Sequence, residues 1–103
     1  MIITVFRSRL RPEAVDEYTP MLRRMTELAA RMPGFVSHKT FVAEDGERVT
    51  LVEFESDTAT KAWGSHPEHI EAQRAGRRTF YSEYSIAVCE VLRQRDFVRP
   101  PDR

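Results

Sequence analysis

Apolar residues recur along this chain with two periods, and the switch between them sets out the elements. Residues 2–9 read as a strand, with Ile2, Ile3, Val5 and Phe6 placing apolar groups on both faces. Pro12 then suits the first position of a helix, where its missing N–H costs nothing. From Glu13 to Met32 the set Val15, Tyr18, Met21, Leu22, Met25, Leu28, Ala29 and Met32 returns every three or four residues, which predicts an amphipathic helix. Pro20 inside it predicts a kink, and Pro33-Gly34 stops it. Residues 35–43 and 48–55 read as two strands joined around Asp45-Gly46, a short hairpin signal. Ser56-Asp57-Thr58 carries the side chains that cap a short helix over 58–64. Gly64-Ser65 interrupts it, and Pro67 restarts a helix to about Thr79, with Ser65 or His66 at its cap. Residues 83–93 form the last strand, with Tyr84, Ile86, Val88 and Leu92 on one face and Ala87, Cys89 and Val91 on the other.

The order β-α-β-β-α-β is the ferredoxin-like pattern of an α+β domain, with helices on one face of a four-stranded antiparallel sheet. Such a sheet with one wet face alternates apolar and polar residues. Here Val36 and Val42 oppose Phe35 and Phe41, and Leu51 opposes Val52 and Phe54, so both faces are apolar. No segment remains to cover the second face. A homodimer packed sheet to sheet is the simplest cover.

Composition narrows the function classes. At 103 residues the chain is one domain, 1–93, followed by an Arg- and Pro-rich tail, 94–103, expected to be partly disordered, in which only Phe97 and Val98 could serve as anchors. Sixteen basic and sixteen acidic residues give zero formal net charge, so nothing favours nucleic acid or an anionic membrane. The single Cys89 allows no internal disulfide and reads as a small buried hydrophobe mid-strand. No basic leader with an apolar core opens the chain, and no run reaches the roughly 18 apolar residues of a membrane span, so the expected location is cytoplasmic.

The chemistry-bearing residues concentrate between Trp63 and Tyr84. The run W-x-x-H-P-E-H-x-x-A-Q-x-x-G-R-x-x-F-Y, with Pro33-Gly34-Phe35, the hairpin and the closing strand, resembles the antibiotic biosynthesis monooxygenase family over residues 1–93. That resemblance implies a dimeric α+β barrel. It also implies oxidation of a quinol-, anthrone- or polyketide-like aromatic with O₂ and no cofactor, or, in another branch, haem degradation. The haem branch carries an Asn on the first strand and a His about ten residues beyond the Trp. This chain has Thr4, Arg7 and Ser8 on that strand and Gln73 at that distance, so an axial ligand would have to be His66 or His69.

Within this frame His66 and His69 are the catalytic candidates. At a helix N-terminus the dipole disfavours the imidazolium, and a neutral imidazole is the general base that phenol deprotonation needs. The plain alternative is one His as a cap and the other in solvent. Trp63, Phe80 and Tyr81 could stack on a planar aromatic, or simply fill the layer between helix and sheet. Arg77 could hold a substrate oxygen, or pair with a surface carboxylate. Two His three residues apart make a weak metal signal, and His38 could point either way, so no metal is expected. Glu53 and Glu90 stand among apolar strand residues and could line a polar cavity or pair across a dimer. The reading is a homodimeric, cofactor-independent monooxygenase, an oxidoreductase acting on a small aromatic compound with O₂. The alternative is a non-catalytic small-molecule-binding module on the same dimeric fold. Isomerase or cyclase chemistry by the His alone is a third course.

Overall fold

The computed structural model describes residues 1–102. Strand β1 (Ile2–Leu10) leads through a 3₁₀ turn at Pro12–Ala14 into helix α1 (Val15–Ala30). Strands β2 (Phe35–Val42) and β3 (Arg48–Phe54) follow, then helices α2 (Asp57–Gly64) and α3 (Pro67–Ala75), a π-helical turn at Gly76–Phe80, and strand β4 (Tyr81–Glu90). The strands lie in the order β2-β3-β1-β4, all antiparallel. This is the ferredoxin-like α+β fold, with its second crossover split into α2, α3 and the π turn.

Local chemistry explains the boundaries. The hairpin turns at Gly46, whose φ of 89° lies in the left-handed region that glycine adopts without strain. The Asp45 carboxylate accepts from the Glu47 N–H at 3.0 Å, closing the turn. The Ser56 hydroxyl accepts from the Ala59 N–H at 3.1 Å and caps α2. Helix α1 runs unbroken through Pro20, which is exposed near its N-terminus. The closing strand begins two residues earlier than its apolar pattern predicts and ends at Glu90, so Leu92 lies beyond the sheet.

Strand pairing assigns the faces. Thr50, Val52 and Phe54 of β3 are buried, and they pair with Phe6, Thr4 and Ile2 of β1. In turn, Phe6, Thr4 and Ile2 pair with Ile86, Val88 and Glu90 of β4. These residues therefore face the helices, while Ile3, Val5, Val49, Leu51, Ala87 and Cys89 face away. One core cluster joins Met25, Leu28 and Ala29 of α1 to Val52, Phe54 and Trp63; a second joins Ala14, Tyr18 and Phe80. The helices cover β3 and β1 and leave β4 open. Cys89, expected to be buried, is exposed for a different reason: it points to the sheet face turned from the helices, on an edge strand. Glu90 is exposed at the strand end and Glu53 is half-buried.

Gly76 is buried where the π turn hands the chain to β4, and a Cβ there would collide with the Tyr81 ring. Tyr81 is packed edge-on between Phe6 and Tyr18, which restrict how far its ring can give way. Gly76→Ala is therefore expected to cost about 1–3 kcal/mol, the usual range for overpacking. Thermal unfolding checks this; an unchanged Tm would mean the ring can swing aside.

Candidate active site

A cavity of about 560 Å³ opens between the helical layer and the sheet. Its floor is Thr4, Phe6, Thr50 and Val52; α1 supplies Met21, Leu22 and Met25; and the second crossover supplies Trp63, His69 and Gln73. Tyr18, Tyr81 and Tyr84 close one end, with Phe6 in edge or tilted contact at ring separations of 5.3 Å to Tyr81 and 5.6 Å to Tyr84. The lining is mainly apolar with a few convergent polar groups, as small-molecule sites are.

The break between α2 and α3 builds the polar end. Gly64-Ser65 ends α2, and the chain turns so that α3 starts at Pro67. This folds the His69 imidazole flat on the Trp63 indole, with ring centroids 4.1 Å apart and planes 11° apart. His69 Nδ1 lies 3.0 Å from the Trp63 carbonyl oxygen. A carbonyl only accepts, so Nδ1 carries the proton and donates it, and in the neutral ring Nε2 keeps the lone pair. The Gln73 amide nitrogen also lies 3.4 Å from Nδ1. A protonated Nδ1 cannot accept from it, and the shorter carbonyl contact decides the tautomer. Gln73 instead aims its amide at the Gly64 carbonyl, 3.5 Å away. The position ten residues beyond Trp63 therefore supplies no imidazole to a haem iron.

His38 reaches the same cavity from β2. Its Nδ1 lies 3.2 Å from Thr26 Oγ1, whose own proton goes to the Leu22 carbonyl at 3.0 Å. The hydroxyl must then accept from His38 Nδ1–H, and this ring too is left with its lone pair on Nε2. Burial pushes both imidazoles below their ordinary value by penalising the charged form. Repulsion from a positive His69 adds to the lowering at His38, and His66 adds to it at His69. Burial among the tyrosines pushes the Tyr81 hydroxyl strongly up, so it stays protonated.

The other candidates are placed as follows. His66 lies outside the cavity lining: its Nδ1 accepts from the Glu68 N–H at 3.2 Å and caps α3, because it precedes Pro67 in extended backbone. Phe80 is also outside, buried against Tyr18 beneath the tyrosine end. Trp63, Tyr81 and Arg77 line the cavity, Arg77 exposed at its rim where the π turn presents it. Lys61, also at the rim, pairs with Asp57 at 3.2 Å. Among the described residues no three His, Cys, Asp or Glu side chains converge as a metal centre requires. His38 was the residue that the sequence left undecided. Its position opposite a buried β3 residue, Val52, would have pointed it at the helical layer, had the register been known.

A smaller cleft of about 210 Å³ lies at the hairpin end, lined by Arg7, Glu47 and Glu83. Its charges already satisfy one another, Arg7 with Glu47 at 2.9 Å and Arg9 with Glu83 at 3.1 Å.

Comparison with known proteins agrees with this fold. The chain is 34% identical over 93 residues to the uncharacterized protein YqjZ of Bacillus subtilis, covering 90% of this chain and 82% of that one. Its structure superposes on Rv0793 from Mycobacterium tuberculosis with a TM-score of 0.83 at 18% identity, covering 92% of this chain and 98% of the other. It superposes on a mutant form of SnoaB, a cofactor-independent oxygenase from Streptomyces nogalater, with a TM-score of 0.78 at 19% identity, covering 90% and 94%. Those two likenesses establish the shared fold. Residues 1–75, which carry β1 through α3, match the antibiotic biosynthesis monooxygenase family, and the chain belongs to that family.

Proposed function

We propose that this protein is a homodimeric, cofactor-independent monooxygenase that oxidises a small hydroxylated aromatic compound with O₂. The observation that carries the reading is the stacked Trp63–His69 pair inside an apolar cavity of about 560 Å³, with the His69 tautomer set by the Trp63 carbonyl. Neutral His69 takes a proton at Nε2 from a phenol or an activated C–H, a step that positioned bases accelerate by about 100- to 10,000-fold. The resulting phenolate or carbanion is electron-rich enough to reduce O₂ directly. Its electron pair forms a carbon–oxygen bond to O₂, and the resulting peroxide takes back the proton held at His69 Nε2. The O–O bond then breaks as the remaining hydrogen on that carbon leaves as a proton, giving water and a quinone-like carbonyl that keeps one oxygen atom. No flavin, haem or metal enters these steps. Trp63 offers an aromatic face to the substrate, Tyr81 supplies a protonated hydroxyl, and Arg77 at the rim steadies a substrate oxygen. His66, placed at the α3 cap, acts through the local helix end rather than on the substrate. SnoaB, as a cofactor-independent oxygenase on the same fold, supports the reading.

The homodimer rests on the sheet face turned from the helices. Ile3, Val5, Val49 and Leu51 are only half-buried there, and Phe41 is exposed. Two such faces packed together would bury on the order of 2,000 Å² in total, as obligate pairs do.

The test is O₂ uptake by the purified protein with a panel of anthrones and hydroquinones, with product identified by mass spectrometry. Uptake should follow protein concentration and leave one oxygen atom from ¹⁸O₂ in the product. Tight binding of the same compounds without O₂ uptake would instead support the binding-module alternative.

A further inference from the structure

Among the described residues, two apolar surfaces besides the sheet face turned from the helices have no cover. One is the helix-facing side of β4, where Ile86 and Val88 are 56% and 58% exposed although they line the cavity. The other is the segment after β4, where Leu92, Phe97 and Val98 are 79%, 76% and 86% exposed. We propose that residues 91–98 of a second copy lie along β4, cover Ile86 and Val88, and complete the open wall of the cavity.

The segment's own geometry sends it to another chain. The Val91 N–H still donates to the Met1 carbonyl at 3.0 Å, so the chain leaves the sheet along the line of β4. Over residues 91–95, where a reversal onto β4 would have to fall, there is no Gly, Pro, Asn, Asp or Ser, the residues that reverse a chain tightly. Folding back onto its own β4 would require that reversal. Extended, eight residues span about 26 Å, enough to run the length of the exposed Tyr84–Val88 stretch.

The strand is suited to receive it. β4 is an edge strand and pairs with β1 in unbroken register from Glu83 to Glu90. A long, flat, partly apolar edge is normally bulged, charged or covered. The opposite edge, β2, has a bulge between Phe35 and Ser37 and carries Lys39. Between Glu83 and Glu90 the β4 edge has neither a bulge nor a charge, which leaves cover as its protection. An extended segment added beside such a strand gains backbone hydrogen bonds as well as side-chain burial. The two-fold exchange that the sheet-to-sheet dimer allows would place each tail on its partner. The inference rests on that dimer but not on the oxygenation reaction.

The experiment uses the full chain with Cys89→Ala as background. One preparation carries Ile86→Cys and the other Phe97→Cys, both at exposed positions. The two are mixed, allowed to exchange subunits, and treated with a short bismaleimide. The expected product is a cross-linked species of twice the 12.0 kDa chain mass, in which the peptide bearing the Ile86→Cys thiol is joined to the peptide bearing the Phe97→Cys thiol. Trypsin should also cut the native chain slowly after Arg93 and Arg95. A dimer by light scattering with no such cross-link overturns the tail placement while leaving the dimer standing. Cross-linking within single chains when both substitutions share one chain, without any in the mixture, overturns it as well. So does rapid tryptic loss of the tail from an intact dimer.

Discussion

His69→Ala is expected to lower turnover by about 100-fold or more while leaving the fold intact, because it removes the one imidazole that is both stacked on Trp63 and locked in a single tautomer. His66→Ala is the control: it removes the α3 cap, costs about 1 kcal/mol of stability and leaves turnover near that of the unaltered protein. The pH profile carries an independent signature. Burial holds the His69 pKa below the ordinary imidazole value of about 6.5, so its neutral, basic form prevails at neutral pH. Activity should be flat above about pH 6.5 and fall only as pH drops through the lowered pKa. Kinetics of the two variants across that range decide the matter; equal losses at His66 and His69, or a profile centred well above the ordinary imidazole value, would sink the assignment. Trp63→Phe keeps an aromatic face of smaller area and should weaken binding more than it slows turnover.

Phe54→Ala is expected to remove about 3–5 kcal/mol of stability, the scale of a large-to-small change with a residual cavity. Phe54 is 1% exposed and packs edge-on to Phe35 at 5.8 Å, in the cluster that also holds Met25, Leu28 and Trp63. A domain of this size has only about 5–15 kcal/mol in total, so the loss should lower Tm by about 15 °C or more. Because Trp63 belongs to the same cluster, loosened packing should also shift its fluorescence in the folded state. Differential scanning calorimetry and emission spectra read both effects; a Tm drop of only a few degrees would mean the cluster can collapse around the missing ring.

Most of the element order was legible in the residues. The 13–32 periodicity, the Asp45-Gly46 turn, the Ser56 cap and the Pro67 restart are local signals, and each acts through the few residues around it. Strand alternation also showed that both sheet faces are apolar. The site was legible only in part. Trp63, His69, Tyr81 and Arg77 line one cavity, but the sequence could not separate His69 from His66, three residues away. That choice depends on how the break at Gly64-Ser65 turns α3, which fixes which imidazole swings onto the indole and which stays at the helix cap. Phe80 and Tyr81, adjacent in the chain, part in the same way: one faces the core and the other the cavity, as the π turn passes into extended backbone. His38 and Thr26 come from different elements, and no local spacing relates them. Cys89 read as buried because its neighbours are apolar, yet the register turns it to the sheet face that no helix covers and leaves it exposed. Short-range hydrogen bonding and periodicity therefore determine where helices and strands form. Which side chains meet in the cavity is decided by packing between elements distant in sequence, and that depends on strand register and helix orientation.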